Sequence, residues 1–139
     1  MSTSPFLTKL SLWSRIKTRS LGWLLMKEPQ PKQWCFIVGC YNSGTTLLNQ
    51  LLGLHPEIGT MPNEGQFYTD QLVRGAHVGL RRLWALKPEL FRLDENTVTT
   101  IDSHKLKREW AYFYNDVRRP VLLEKTIANA ARTRWFQKH

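Results

Sequence analysis

The sequence has little cysteine and no long apolar run. Only 2 of its 139 residues are cysteines, Cys35 and Cys40, which is too few for a disulfide framework or a cysteine-rich metal site. No stretch approaches the roughly 20 apolar residues of a membrane-spanning helix, and the start lacks the apolar core and cleavage site of a signal peptide. We therefore expect reduced thiols, no metal and a cytoplasmic protein.

Acidic residues are also scarce, because 11 Asp and Glu stand against 20 Lys and Arg, for a formal net charge of +9. This balance suits an anionic ligand, a nucleic acid or an acidic membrane surface. Nucleic acid is the least favoured partner, since no reader motif is present and the aromatic residues lie in apolar runs that core packing explains. The chain length suffices for one modest domain.

Much of the positive charge lies in the first quarter of the chain. Residues 1–33 form a predicted basic arm and linker, with an intermittent amphipathic pattern at Phe6, Leu10, Trp13 and Ile16. We expect the arm to dock on the protein itself, with peripheral contact to an acidic membrane as the alternative. A linker at 28–31, which contains two prolines, separates the arm from the segment that follows.

A strand, a glycine loop and a helix are predicted between residues 34 and 54. Residues 34–38 are uncharged and apolar, as in a strand that is covered on both faces. Glycines and hydroxyl residues then precede a leucine-rich stretch, whose apolar side we expect to pack on the sheet. Backbone N–H groups would converge on an anion at Gly39, Cys40, Tyr41, Asn42, Ser43, Gly44, Thr45 and Thr46. The alternative is an ordinary strand-to-helix turn.

This loop lacks the lysine of nucleotide triphosphatases. The pattern G-x-x-x-x-G-T-T places Thr45 where G-x-x-x-x-G-K-[ST] has its phosphate-binding lysine. The difference argues against an ATPase and disfavours a kinase-type P-loop module, which remains an alternative.

The second half of the chain predicts a helical crossover to another strand. We expect a loop over 57–65, helices over 66–74, 80–86 and 103–115, and a strand over 121–123. Two buried strands joined by a long helical crossover indicate an α/β fold with a parallel sheet.

Four segments of the chain form a recognisable set: Ser43-Gly44-Thr45-Thr46-Leu47-Leu48, His55-Pro56-Glu57-Ile58, Pro62-Asn63-Glu64, and Leu123-Glu124-Lys125-Thr126 with Asn129 and Arg132. Together they resemble the P-loop sulfotransferase superfamily. The resemblance implies a P-loop-type parallel sheet flanked by helices. It also implies transfer of a sulfuryl group from 3′-phosphoadenosine 5′-phosphosulfate to an acceptor hydroxyl or amine, without a metal.

The resemblance also implies roles for individual residues. Glu64 would act as general base toward the acceptor, and Lys125 would place its ammonium near the bridging oxygen of the donor. Asn42 departs from the pattern, because many relatives carry a cation there. Glu124 is expected to be structural, since neighbouring strand residues point to opposite faces.

Residues 34–139 are expected to form the N-terminal part of a sulfotransferase domain, truncated after the second recognisable core strand. Two strands are few for a stable parallel sheet. The arginine and serine that bind the 3′-phosphate of the donor in relatives have no evident equivalent. We therefore expect the 139-residue chain alone to bind donor weakly and to be inactive. A non-catalytic phosphate-binding or nucleotide-binding relative is the alternative.

Overall fold

The computed structural model describes residues 22–80 and 84–139. Its centre is a parallel sheet of three strands in the order β1-β3-β2: β1 (Gln33–Ile37), β2 (Ile58–Thr60) and β3 (Val121–Lys125). Three α-helices accompany the sheet: α1 (Thr45–Leu52), α2 (Ser103–Ala111) and α3 (Thr133–Lys138). The parallel sheet and its flanking helices confirm the predicted α/β class.

Short 3-10 helices make up much of the remaining regular structure. They span Trp23–Leu25, Gly65–Phe67, Gly75–Val78, Trp84–Leu86, Pro88–Leu90 and Ile127–Ala131. The α-helices predicted over 66–74 and 80–86 are therefore wrong for the described residues, while residues 81–83 lie outside them. Gly79 has a φ of 72° after one of these turns, a conformation that ends a helix.

The helix predicted over 103–115 begins as expected and ends earlier, at Ala111. Its N-cap is Asp102, whose side chain accepts a hydrogen bond from the backbone N–H of Lys105 at 2.9 Å. Such a cap satisfies one of the free N–H groups of the first turn.

Strand β2 was not predicted, because its three residues stand among proline and glycine in a stretch expected to be a loop. Thr60 exchanges two 3.0 Å hydrogen bonds with Asn115, one to its backbone and one to its side chain. A Cβ on Gly59 would lie 2.5 Å from the carbonyl oxygen of Asp116. Only glycine permits this close approach, so tertiary contacts create the strand.

An aromatic core covers one face of the sheet. Trp34 and Phe36 of β1 contact Trp110 of α2, with ring centroids 6.1 and 6.4 Å apart, and Phe36 stacks on Phe136 of α3 at 4.7 Å. Trp110 is 1% exposed. These contacts fix α2 and α3 against the face on which β1 presents its aromatic residues.

The orientation of α1 differs from the prediction. Leu47, Leu48, Leu51 and Leu54 are exposed, whereas Thr45, Asn49 and Leu52 are half-buried. The side of α1 that faces the protein is therefore the one that carries residues 45, 49 and 52. The expectation that the leucines pack on the sheet is therefore wrong for four of them.

The described part of the N-terminal arm lies against α2. The Trp23 ring lies 5.4 Å from the Lys105 Nζ and 5.1 Å from the Arg108 guanidinium carbon. Glu28 pairs with Lys107 at 3.1 Å. The apolar residues on which the arm prediction rests, Phe6 to Ile16, lie outside the described residues.

Candidate active site

The register of the sheet brings two chain segments to one edge. Ile37 pairs with Lys125, so β1 and β3 end level with each other. The loop that follows β1 and the residues that follow β3 therefore emerge side by side. In open parallel sheets, this carboxyl edge is where ligands bind.

The loop at 39–46 has the backbone of an anion site. Gly44, the N-cap of α1, has a φ of 80°, and no side chain caps the helix. The N–H groups of the first turn are therefore not bonded by a capping side chain, and the helix dipole adds partial positive charge there. Ser43 is tied to the loop, because its hydroxyl donates to the Cys40 carbonyl oxygen at 2.6 Å.

The backbone conformation at position 42 accounts for the asparagine there. Its φ is 61°, and within the described residues it is alone among non-glycine residues in having a positive φ. Asparagine tolerates this left-handed conformation better than most residues do. The missing cation at position 42 thus has a local backbone reason.

Lys125 connects the loop to Glu64. Its Nζ lies 3.3 Å from the Thr46 hydroxyl and 3.4 Å from Glu64 Oε1, to both of which it donates. Both side chains of the ion pair are largely buried, with 7% and 17% exposed for Lys125 and Glu64. The structure therefore brings together three candidates that are widely separated in sequence.

The Glu64 carboxylate has a second neighbour, Gln66, whose amide donates to Glu64 Oε2. The backbone N–H of Gln66 donates to the Thr126 hydroxyl at 3.3 Å. Sequence reasoning assigned no role to Gln66.

Glu124 contacts the backbone directly after Glu64 and is fully buried. Its Oε1 accepts from the Gly65 backbone N–H at 2.8 Å, and its Oε2 accepts from the Asn129 amide at 2.7 Å. Burial raises the pKa of Glu124 to about 7, against the lowering effect of these hydrogen bonds. Glu124 therefore contacts the backbone of Gly65 and Lys125 contacts the side chain of Glu64, from opposite faces of β3.

Two cavities meet at Glu64. One, of about 520 Å³, is lined by the loop residues 41–47 and by Gln50, Glu64 and Ile127. The second, of about 250 Å³, shares Tyr41, Glu64 and Ile127 and is otherwise lined by Gln66, Phe67, Gly75, Leu80, Trp84, Phe91 and Ala128. No Lys or Arg belongs to either set of described lining residues. A polar and a mainly apolar compartment thus adjoin at one carboxylate.

A larger cavity, of about 770 Å³, lies away from this edge and is lined by neither Glu64 nor the loop. Its charges neutralise one another, since Arg92 lies 3.9 Å from Asp94 and Arg134 lies 3.3 Å from Glu95. Volume alone does not make it the reactive site. Across the part of the chain that the structure describes, no group of three or more His, Cys, Asp or Glu side chains could hold a metal ion.

Comparison with known proteins supplies one finding. The model of the sulfotransferase family matches residues 35–139, which include the loop, Glu64 and Lys125. No curated protein and no solved structure matches the chain.

Proposed function

Since the chain belongs to the sulfotransferase family, we propose that it moves a sulfuryl group from 3′-phosphoadenosine 5′-phosphosulfate to an acceptor hydroxyl or amine. The observation that supports this most is the contact of Lys125 with both Thr46 of the loop and Glu64. A cation, a phosphate cradle and a carboxylate are the groups that such a transfer requires.

The loop residues 39–46 would hold the phosphosulfate end of the donor. The donor supplies an activated sulfuryl group, whose sulfur-oxygen bond to the 5′-phosphate breaks during transfer. The free N–H groups at the start of α1, together with the Thr45 and Thr46 hydroxyls, suit anionic oxygens. The roughly 520 Å³ of the loop cavity leaves room for more than a phosphate group.

Lys125 would stabilise the charge that develops on the departing phosphate oxygen. Its ammonium already donates to Thr46 at 3.3 Å, which places it beside the cradle. A fixed cation aimed at developing charge in a largely buried site lowers the barrier more than it would in water.

Glu64 would take the proton from the acceptor as the acceptor attacks sulfur. Its carboxylate lies at the junction of the two cavities. A general base must lie within hydrogen-bond reach of the proton that it accepts. An acceptor in the second cavity would therefore meet Glu64 on its way to the donor.

The second cavity favours an acceptor with an aromatic or aliphatic body. Four aromatic side chains line it, Tyr41, Phe67, Trp84 and Phe91. A phenol or a hydroxyl on an apolar skeleton fits this lining.

A non-catalytic member of the family is the second candidate function. The described residues that line the loop cavity contribute no Lys or Arg, and Asn42 stands where many relatives carry a cation. Such a protein would bind a phosphorylated ligand and transfer nothing. Magnesium-dependent ATP binding would instead indicate a kinase-type module.

The location and the peripheral partner stay predictions. We expect a cytoplasmic protein whose basic arm, residues 1–33, contacts an acidic membrane if it does not dock on the domain. Among the described residues, no helix has both the length and the apolar character to cross a bilayer.

Transfer of label from radioactive donor to a panel of acceptors tests the proposal on a complete enzyme that contains this chain. Lys125→Ala and Glu64→Gln should each lower turnover about a hundredfold or more, because each removes a group that acts in the transition state. Thermal melts should change far less than turnover. Two exposed residues, Lys87 and Glu57, provide the matched controls Lys87→Ala and Glu57→Gln.

Near-normal rates in the Lys125 and Glu64 variants would remove these residues from the mechanism. Donor binding without transfer to any acceptor would favour the non-catalytic candidate. Transfer to sugars in preference to phenols would refute the proposed acceptor class.

A further inference from the structure

We propose that Glu124 is a positioning residue that, together with Thr126, holds the backbone of residues 65–66 and thereby aims the Glu64 carboxylate at Lys125. The proposal rests on the proposed function, in which Glu64 is the general base. Lys125 contacts the reacting groups, while its neighbours in sequence, Glu124 and Thr126, bind the backbone of residues 65–66.

Both backbone polar groups of Gly65 are bonded to buried side chains. Its N–H donates to Glu124 Oε1 at 2.8 Å, and its carbonyl oxygen accepts from Trp110 Nε1 at 3.0 Å. The next N–H, that of Gln66, donates to the Thr126 hydroxyl, which itself donates to Glu124. Two consecutive peptide groups are thus fixed directly after Glu64.

The close approach works only with glycine at position 65. A Cβ there would lie 2.6 Å from Glu124 Oε1 and 2.9 Å from the Trp110 indole. Both neighbours are almost fully buried, so neither can move aside easily. The loop is therefore seated directly on the carboxylate.

The surrounding network requires two oxygen atoms, those of a carboxyl group, at position 124. Arg132 donates from Nη1 to Asn129 Oδ1 at 3.1 Å, so the Asn129 amide must present its NH₂ group to Glu124 Oε2. Arg132 is itself fixed, because it also donates to the carbonyl oxygens of Phe91 and Val73. Glutamine at 124 would turn a donor toward either Asn129 or Gly65.

This arrangement separates positioning from binding. Glu124 contacts Gly65, Thr126 and Asn129, and none of these residues lines the loop cavity. Loss of the carboxylate should therefore disturb the aim of Glu64 while it leaves the donor cradle in place. A residue that only stabilises the core would loosen the whole sheet instead.

Amide hydrogen exchange by NMR tests the proposal on the purified protein. In Glu124→Gln, the Gly65 and Gln66 amides should exchange about tenfold faster or more. Gly65 loses the oxygen that accepts from its N–H, and the Thr126 hydroxyl, which accepts from Gln66, loses its own partner. Amides of β1 and β3 should stay within about twofold. Thr126→Val, which keeps the shape but removes the hydroxyl, should free the Gln66 amide in the same way.

Glu109→Gln is the matched control. Glu109 is 1% exposed, accepts a hydrogen bond from the Thr69 hydroxyl and lies 3.9 Å from the Lys105 Nζ. Its substitution should leave the Gly65 and Gln66 amides protected. Turnover adds the functional readout: Glu124→Gln should lower kcat about tenfold or more with the donor KM within about twofold.

The possible outcomes separate the two proposals. Unchanged Gly65 exchange in Glu124→Gln, or a rise spread evenly over the sheet, overturns the positioning role. The positioning role is also overturned if Glu124→Gln shows faster exchange at Gly65 and Gln66 but a normal kcat, while Glu64→Gln is inactive. If Glu64→Gln keeps full turnover, the general-base role fails, whereas the exchange result still reports on what Glu124 holds. If Glu124→Gln does not fold, Thr126→Val decides: an unchanged Gln66 amide overturns the proposal.

Discussion

Replacement of Glu124 by glutamine should remove a specific pH dependence of stability. Burial raises the pKa of Glu124 from 4.5 to about 7 in the folded protein. A carboxyl group whose folded pKa is raised binds its proton more tightly when folded, so its stabilising effect is complete below pH 4.5. That effect is lost as the pH rises toward 7.

The shift of about 2.5 pKa units corresponds to about 3 kcal/mol, at 1.36 kcal/mol for each unit. Most of it falls between pH 5 and pH 8, where we expect the free energy of unfolding of the natural protein to fall by about 2 to 3 kcal/mol through Glu124 alone. Glutamine cannot titrate, so Glu124→Gln should lack this part of the change.

Urea denaturation followed by tryptophan fluorescence at pH 5, 6, 7 and 8 measures the effect. The informative quantity is the difference in unfolding free energy between the natural protein and the variant, plotted against pH. The 4 histidines are common to both proteins, so their titration largely cancels. The pKa of Asp116 is lowered to about 2 by its hydrogen bonds with Arg118, which places its titration below this window.

The difference should favour the natural protein most at pH 5 and shrink as the pH rises. A difference that stays constant from pH 5 to pH 8 would show that the folded pKa of Glu124 lies at or below its ordinary value, because its donors then stabilise the carboxylate at least as much as burial penalises it.

Two further substitutions probe the loops on either side of the site. Asn42→Arg should tighten binding of adenosine 3′,5′-bisphosphate about fivefold at low salt, since a charged hydrogen bond replaces a neutral one. Calorimetry should show that the gain fades at high salt. Because the φ at position 42 is 61°, the variant should also lose about 1 kcal/mol of stability. Unchanged or weaker binding at low salt would mean that position 42 points away from the phosphates. Gly65→Ala should lower the free energy of unfolding by about 1 to 3 kcal/mol because its Cβ would overlap Glu124 and Trp110. Gly65 does not have a positive φ, so the loss reports packing alone, and a loss well below 1 kcal/mol would refute the packing argument.

The core strands could be predicted from sequence because their signal is local. Residues 34–38 and 121–123 are short apolar runs, and β1 and β3 lie at 33–37 and 121–125. The C-terminal two residues of β3 are Glu124 and Lys125, which the prediction of side chains on opposite faces already treats as strand residues. Their burial depends on partners that lie about 60 residues away in sequence.

The errors come from contacts that local patterns do not encode. Strand β2 exists because Asn115 binds Thr60 and because Gly59 fits beneath the chain near Asp116. The leucine pattern after the loop predicted a helix correctly and its buried side wrongly. The rotation of α1 about its own axis, and not the number of leucines, decides which residues face the sheet.

The candidate site shows the same division. The sequence identifies a glycine loop, and the resemblance adds Glu64 and Lys125. That these two side chains meet follows from where the segment after β2 crosses the end of β3, which no short-range pattern records. Thr126 and Gln66 were missed as members of the site because their contribution depends on a backbone contact.

An NMR titration with adenosine 3′,5′-bisphosphate in the absence of magnesium tests the central claim most directly, because it detects even millimolar binding. Our account predicts that the amide resonances of residues 39–47 shift with ligand, and that those of Arg92 and Arg134, which line neither cavity at Glu64, do not. Absence of shifts in the loop at millimolar ligand, or shifts that appear only with ATP and magnesium, would contradict it.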